Sequence, residues 1–143
     1  MSSKILCATD GSQSAHKAVD YAVSLARDSG SQLTFLTVAH IASVDRGHNV
    51  SWDSTVLEAA DAQLQTELKS AIELAEKAGL HNVTCASAEG QNVAAAIIDF
   101  AEKHGYDHIV TGTVGRTGVA RLLIGSVAQA VVAKAHCPVT VIR

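Results

Sequence analysis

Short apolar segments alternate with longer amphipathic segments along this chain, and this alternation restricts the fold more than any other feature. Ile5–Thr9 is a continuous apolar run, typical of a strand that is buried on both faces. From Ser14 onward, apolar residues recur at helical spacing. The other predicted strands are Gln32–Ala39, Val83–Ala88, His108–Thr111 and Pro138–Ile142, and the other predicted helices are about Ser54–Ala78, Asn92–His104 and Ser126–Ala135.

Four strand–helix pairs followed by a last strand predict one open, doubly wound α/β sheet of parallel strands, with helices on both faces. The composition is 48% hydrophobic but only 3% aromatic, so the core must consist of Ala, Val, Ile and Leu. Gly30, Gly79 and Gly105 are placed to end the first three helices, and Asn92 could cap the start of the third. At this length we expect a single domain spanning residues 1–143.

One long segment, His40–Asp53, lacks periodicity and contains the only tryptophan. It is predicted to be a loop, and its length makes it a candidate for a functional or mobile segment.

Charge and hydropathy exclude several classes of partner. The formal charge of −3 and the pI near 6.1 argue against nonspecific nucleic-acid binding, which requires a basic surface. The longest apolar run, Val93–Ile98, is far too short to span a bilayer, and no signal peptide precedes the first strand. We therefore expect a cytoplasmic protein with no membrane insertion. Its three cysteines are far apart, which indicates inert thiols.

A glycine-rich segment near the C-terminus has the character of an anion site. The fourth long strand ends on Gly112, the following loop carries Gly115 and Gly118, and Gly125-Ser126 opens the last helix. Glycines allow a ligand to approach the backbone closely, and a helix N-terminus offers unpaired N–H groups. Ser126 could cap this helix or donate its hydroxyl to a phosphate. The alternative is an ordinary strand-to-helix connection.

Three stretches together resemble the universal stress protein family. Gly112-x-x-Gly115, followed after nine residues by Gly125-Ser126, resembles the nucleotide-binding signature of that family. Lys4–Ser12 resembles its first strand and acidic turn, and His136–Ile142 its closing strand. The resemblance implies a Rossmann-like sheet of five parallel strands in the order 3-2-1-4-5. The first and fourth strands would then be neighbours, so that Asp10 and the glycine loop face one cleft.

The resemblance also implies an ATP-binding subtype, with ATP, ADP or AMP bound together with Mg²⁺. Asp10 would contact ribose hydroxyls or the Mg²⁺, because a carboxylate repels bare phosphate; otherwise it is a turn former. The backbone of Val38 would contact the adenine edge, and otherwise Val38 is a core residue. Arg116 would add charge at the outer phosphates or be a surface arginine. The predicted nucleotide-binding residues are Ala8, Thr9, Asp10, Val38, Gly112, Gly115, Arg116, Gly125, Ser126 and Val127.

The sequence predicts that the protein binds a nucleotide but does not use it as the substrate of an efficient reaction, with at most slow ATP hydrolysis. The sequence indicates no general base that could activate a serine near the cleft, and the phosphate-binding P-loop motif is absent. His104 and His108 have the spacing of metal ligands on one helix face, but Gly105 should end the helix between them. We therefore predict no metal site built from protein side chains alone.

The last strand, Val139–Ile142, is predicted to lie at a sheet edge, where an exposed apolar strand promotes pairing. In the family this strand pairs with its counterpart in a second subunit, so the resemblance implies a homodimer. The resulting hypothesis is a nucleotide-dependent stress-response switch that acts on an unknown protein partner. The alternatives are a nucleotide-free dimeric interaction protein of the same fold, or a hydrolase or transferase acting on an adenylated substrate.

Overall fold

The computed structural model describes residues 3–9, 13–40, 50–52, 62–81, 83–90, 92–113 and 125–143. Strands and helices alternate through these residues. The strands are β1 (Lys4–Ala8), β2 (Gln32–His40), β3 (Val50–Trp52), β4 (Val83–Gly90), β5 (His108–Gly112) and β6 (Val139–Ile142). The helices are α1 (Gln13–Ser29), α2 (Ala62–Lys77), α3 (Val93–Lys103) and α4 (Ser126–Lys134).

All six described strands form one sheet, in the order β3-β4-β2-β1-β5-β6. The five longer strands run parallel, and their order confirms the predicted 3-2-1-4-5 arrangement. β1 lies between β2 and β5, so that Cys7 is paired with Phe35 on one side and with Val110 on the other. β2, β3 and β4 therefore lie on one side of β1, and β5 and β6 lie on the other.

The segment His40–Asp53 was predicted to be a loop throughout, and this was wrong at two places. His40 is the last residue of β2, and Val50–Trp52 forms β3, which pairs antiparallel with β4. A three-residue strand is too short to show alternation, and its pairing depends on a neighbouring edge that the local sequence does not reveal. Residues 41–49 and 53, and residues 54–61 of the predicted second helix, lie outside the described residues.

Two apolar clusters cover the two faces of the sheet, because successive strand residues point to opposite sides. Ile5 and Cys7 of β1 belong to the cluster beneath α1 and α2, whereas Leu6 belongs to the cluster beneath α3 and α4. Phe35 and Phe100 are fully buried on opposite faces. Burial raises the pKa values of the Cys7 and Cys85 thiols to about 12, as expected for inert cysteines.

The ends of the helices follow the sequence signals. Gly30, Gly79 and Gly105 have φ angles of +72°, +86° and +73°, the left-handed conformation that ends a helix, as predicted. Asn92 caps α3, since its Oδ1 accepts a hydrogen bond from the Ala95 N–H at 2.9 Å. This confirms the predicted cap.

A buried hydroxyl network joins β2 and β4 to the connection between α3 and β5, near the amino end of the sheet. The Tyr106 hydroxyl donates to Thr34 Oγ1 at 2.7 Å, and Thr34 Oγ1 lies 2.6 Å from Thr84 Oγ1. Lys4 Nζ lies 4.4 Å from the centroid of the Tyr106 ring and donates to the His104 carbonyl. The buried hydroxyl of Thr34 is therefore fully paired within the protein.

We predict that Asn92→Ala lowers the free energy of unfolding by about 1 kcal/mol, because the Ala95 N–H loses its acceptor. Urea denaturation followed by circular dichroism measures the change. Asn92→Asp is the matched control, since a carboxylate accepts the same bond and suits the positive end of the helix dipole. Equal stability of Asn92→Ala and the unsubstituted protein would show that the cap contributes nothing.

We also predict that His108 makes the fold sensitive to acid. His108 Nε2 lies 2.7 Å from Thr140 Oγ1, and partial burial lowers the pKa of the imidazole below its ordinary value of 6.5. Protonation is therefore easier in the unfolded chain, and stability falls as the pH drops below about 6.5. The melting temperature should fall less in His108→Gln than in the unsubstituted protein between pH 7.5 and 5.5.

His81→Gln provides the comparison for this measurement, because His81 is exposed on the surface. It should follow the pH profile of the unsubstituted protein. If His108→Gln follows that profile as well, another group causes the acid sensitivity.

Candidate functional site

The carboxyl ends of β1 and β5 lie side by side where the strand order reverses, the usual position for a ligand in an open parallel sheet. β1 ends at Ala8, but the Thr9 N–H still donates to the Leu36 carbonyl at 2.9 Å. The backbone therefore stays beside β2 for one more residue. β5 ends at Gly112, the residue predicted to open the glycine loop.

The base of the glycine loop is closed by a backbone hydrogen bond. The Gly125 N–H donates to the Thr113 carbonyl at 2.7 Å, and the Thr113 N–H donates to the Ile142 carbonyl at 3.1 Å. The chain thus leaves the sheet at residue 113 and returns to the same place at residue 125. This bond brings Gly112 of β5 together with Gly125, Ser126 and Val127 at the start of α4.

The N-terminus of α4 has the properties of an anion site. Gly125 is the N-cap residue, and no side chain in the described part of the chain accepts a capping hydrogen bond there. The first intrahelical bond starts at Gln129, whose N–H donates to the Gly125 carbonyl at 2.9 Å, so the N–H groups of the three preceding residues have no acceptor within the helix. The first turn contains no acidic residue. The positive end of the helix dipole is therefore not neutralised by the helix itself.

Ser126 does not cap α4, so one of its two predicted roles is wrong. Gly125 occupies the N-cap position with extended backbone angles (φ −62°, ψ 158°), which makes Ser126 the first helical residue. Ser126 is exposed to solvent, and Val127 is 36% exposed.

Two other predicted residues lie on the same face of the sheet as α4. Ala8 of β1 and Val38 of β2 pack against the apolar cluster that includes Val131 of α4. Both are partly buried, and they offer apolar surface on the face of the sheet that α4 covers. Thr9 is 6% exposed and follows Cys7 by two residues, so its side chain points to the opposite face.

Three of the predicted site residues, Asp10, Gly115 and Arg116, lie outside the described residues. Their roles remain predictions. Thr111 and Thr113, which flank Gly112, were not predicted but are buried in the structure, at 7% and 8% exposure. The only sequence signal for them was the presence of two hydroxyl residues at the end of an apolar strand.

The two histidines with metal-ligand spacing do not lie on one helix face. His104 follows the end of α3, and its ring lies 4.5 Å from that of Phe100, whereas His108 belongs to β5. Within the described ranges, no group of three or more His, Cys, Asp or Glu side chains is placed to hold a metal ion.

A profile of the Universal stress protein family matches residues 1–143. The chain belongs to this family. It is 35% identical over 141 residues to a universal stress protein of Methanocaldococcus jannaschii, a match that covers 98% of this chain and 81% of the relative. It is 31% identical over 151 residues to a universal stress protein of Bacillus subtilis, with both chains covered completely.

A solved universal stress protein structure, described as a complex with cAMP, matches with a TM-score of 0.75 and 26% identity. The match covers 99% of this chain and 97% of that one. Among the helices that the structure describes, none is long and apolar enough to cross a membrane.

Proposed function

We propose that this chain is a universal stress protein that binds an adenine nucleotide, as ATP with Mg²⁺, and acts as a nucleotide-dependent switch in a stress response. The observation that supports this most directly is the hydrogen bond between the Gly125 N–H and the Thr113 carbonyl. It holds the N-terminus of α4, whose first N–H groups have no acceptor within the helix, beside the carboxyl end of β5, the neighbour of β1. Two features that are far apart in the sequence would thereby face one cleft.

The chemistry of the described residues fits the two parts of an adenine nucleotide. The N–H groups of Ser126 and Val127, with the Ser126 hydroxyl, would bind phosphate oxygens, which carry the charge that a helix N-terminus favours. Ala8 and Val38 would contact the adenine, since they offer apolar surface on the same side of the sheet. The cAMP complex of a relative that is 26% identical supports an adenine nucleotide as the ligand class.

Three finer parts of the proposal rest on the sequence resemblance. Asp10 would contact the ribose or the Mg²⁺, and Gly115 and Arg116 would contact the phosphates. The assignment of ATP, with ADP or AMP as alternatives, has the same basis, whereas the expectation of slow hydrolysis rests on the missing general base and P-loop motif. Binding, rather than turnover, would change the surface shown to a protein partner, provided that the partner distinguishes the two states.

We predict that Ser126→Pro weakens ATP binding by roughly 10- to 100-fold without unfolding the protein, because a hydrogen bond to a charged group is lost. Proline is well accepted at the first helical position, and the extended backbone of Gly125 suits the residue before a proline. The substitution therefore removes an N–H and a hydroxyl from the site while α4 is preserved. Isothermal titration calorimetry with ATP and Mg²⁺ measures the affinity.

Ser126→Ala is the matched variant, because it removes the hydroxyl and keeps the N–H. Its affinity should lie between those of the unsubstituted protein and Ser126→Pro. Equal affinities for all three proteins, with unchanged circular dichroism, would show that the nucleotide binds elsewhere. No binding of ATP, ADP, AMP or cAMP to the unsubstituted protein would favour a nucleotide-free dimeric interaction protein.

We also propose that β6 pairs with its copy in a second subunit to form a homodimer. β6 is the last strand of the described sheet, and all four of its residues are partly exposed. The carbonyls of Pro138 and Ile142 accept hydrogen bonds from β5, so the backbone groups of the alternate residues, Val139 and Val141, point to the open edge. An edge of this kind can accept an antiparallel partner.

We predict that Val141→Pro converts the dimer to a monomer, because it removes an N–H that points to the open edge and leaves the bonds to β5 intact. Val141→Thr keeps both the N–H and the β-branched shape, and it should remain dimeric. Sedimentation velocity over a range of concentrations distinguishes the two masses. A dimeric Val141→Pro, or a monomeric unsubstituted protein, would rule out this interface.

A further inference from the structure

A row of buried hydroxyl groups crosses three strands on the face opposite α4. Cys7, Phe35 and Cys85 form an apolar row across β1, β2 and β4, and all three are at most 3% exposed. Two residues further along each strand, on the same face, are Thr9, Thr37 and Ser87. A layer of polar side chains therefore lies directly above an apolar layer.

Pairing between the strands fixes the position of this hydroxyl row. Thr37 and Ser87 are direct partners in the ladder between β2 and β4. The Thr9 N–H donates to the Leu36 carbonyl, which places Thr9 beside Thr37 on the other side. β3 extends the sheet beyond Ser87, since Val50 pairs with that residue. The row is thus interior to the sheet.

The central hydroxyl of the row is buried and has no partner among the described residues. Thr37 is 1% exposed, and among the residues that the structure describes, none forms a hydrogen bond with its Oγ1. Thr9 and Ser87 are 6% and 8% exposed. A buried hydroxyl without a partner destabilises the folded state, because it loses its hydrogen bonds with water and gains none in return. An isosteric valine at position 37 would avoid this loss.

We propose that Thr9, Thr37 and Ser87 form an internal site that binds one water molecule between β1, β2 and β4. Neighbouring strands lie about 4.8 Å apart, a spacing that a single oxygen bridges with two hydrogen bonds of about 2.8 Å. Buried waters in proteins typically form about three hydrogen bonds to buried polar groups, and the Thr37 hydroxyl is the group in this row that lacks a partner among the described residues. All three side chains are neutral hydroxyls, which favours a neutral guest over an ion.

At this location the water would hold in place two backbone segments that are predicted to contact the nucleotide. This inference rests on the proposed function. Thr9 precedes Asp10 and Thr37 precedes Val38, and both following residues are predicted to contact the nucleotide. A water that joins β1 to β2 behind the cleft would fix the spacing of these two backbone segments. Thr37 is then a positioning residue for nucleotide binding, because it acts through the strands and not by contact with the ligand.

The direction in which Thr37→Val changes the melting temperature tests the water site. If the water is present, the valine leaves the bridge incomplete, and the melting temperature should fall by a few degrees. If the hydroxyl has no partner, removing it at constant shape should leave the melting temperature unchanged or raise it, which would overturn the proposal. Thr34→Val is the matched control, since Thr34 is bonded to Tyr106 and Thr84 and its replacement should destabilise in either case.

A high-resolution crystal structure gives the second readout. Electron density for a water within hydrogen-bonding distance of Thr37 Oγ1 and of at least one of the other two hydroxyls would support the site, and that density should disappear in Thr37→Val. A side chain of the protein at this position would overturn the proposal.

Calorimetry with ATP tests the role in the cleft separately. Thr37→Val should weaken nucleotide binding several-fold, whereas unchanged binding would remove the positioning role. The crystallographic and thermal readouts do not depend on the nucleotide. If the protein binds no nucleotide, the proposed function is disproved. The crystal structure and the melting temperatures still test the water site.

Discussion

The burial of β1 on both faces is the constraint from which the rest of the structure follows. Leu6 and Cys7 are completely buried, and they point to opposite sides of the sheet. A central strand of this kind requires helices on both faces, and helices that connect parallel strands return the chain to the same end each time. The carboxyl ends of β1, β2 and β5 therefore collect at one edge. The position of the candidate site is a consequence of the topology, not of local sequence alone.

Small side chains allow the three layers to pack closely with very few aromatic residues. α1 buries Ala15, Ala18, Ala22 and Ala26 against β1 and its neighbours, so that the helix backbone approaches the sheet. The two phenylalanines, Phe35 and Phe100, are buried one on each face, where they fill the space between the helices. Composition alone indicated an aliphatic core, but the division of the two aromatic rings between the faces depends on strand register.

Features with a local physical cause could be predicted from the sequence. The left-handed glycines at Gly30, Gly79 and Gly105 and the cap at Asn92 depend on a few neighbouring residues, and all four were identified. The parallel strand order came from resemblance, since periodicity predicts strands but not their neighbours. Features that depend on distant partners were missed. β3 is identified only by its pairing with β4. The Thr37 hydroxyl, which has no partner among the described residues, can be recognised only when burial and hydrogen bonds are known together.

The predicted capping role of Ser126 failed for a more specific reason. Serine is a better N-cap than glycine in general, and the sequence offers both residues in succession. The hydrogen bond from the Gly125 N–H to the Thr113 carbonyl fixes the extended backbone of Gly125 from outside the helix. The helix can therefore begin only at the next residue. A tertiary contact thus overrides the local preference, and as a result the serine hydroxyl is left exposed at the positive end of the helix.

The limited burial of α4 also explains why a ligand at its N-terminus would change the stability of the whole helix. α4 buries two of its nine residues, Ala128 and Val131, whereas α3 buries four of eleven. A helix with a small buried surface has less packing energy to hold it, so a ligand that binds its N-terminus contributes a larger share of its stability. α4 is followed directly by β6, the strand proposed to form the dimer. Nucleotide binding and subunit pairing would then act on the same C-terminal unit, which is the physical connection that a switch requires.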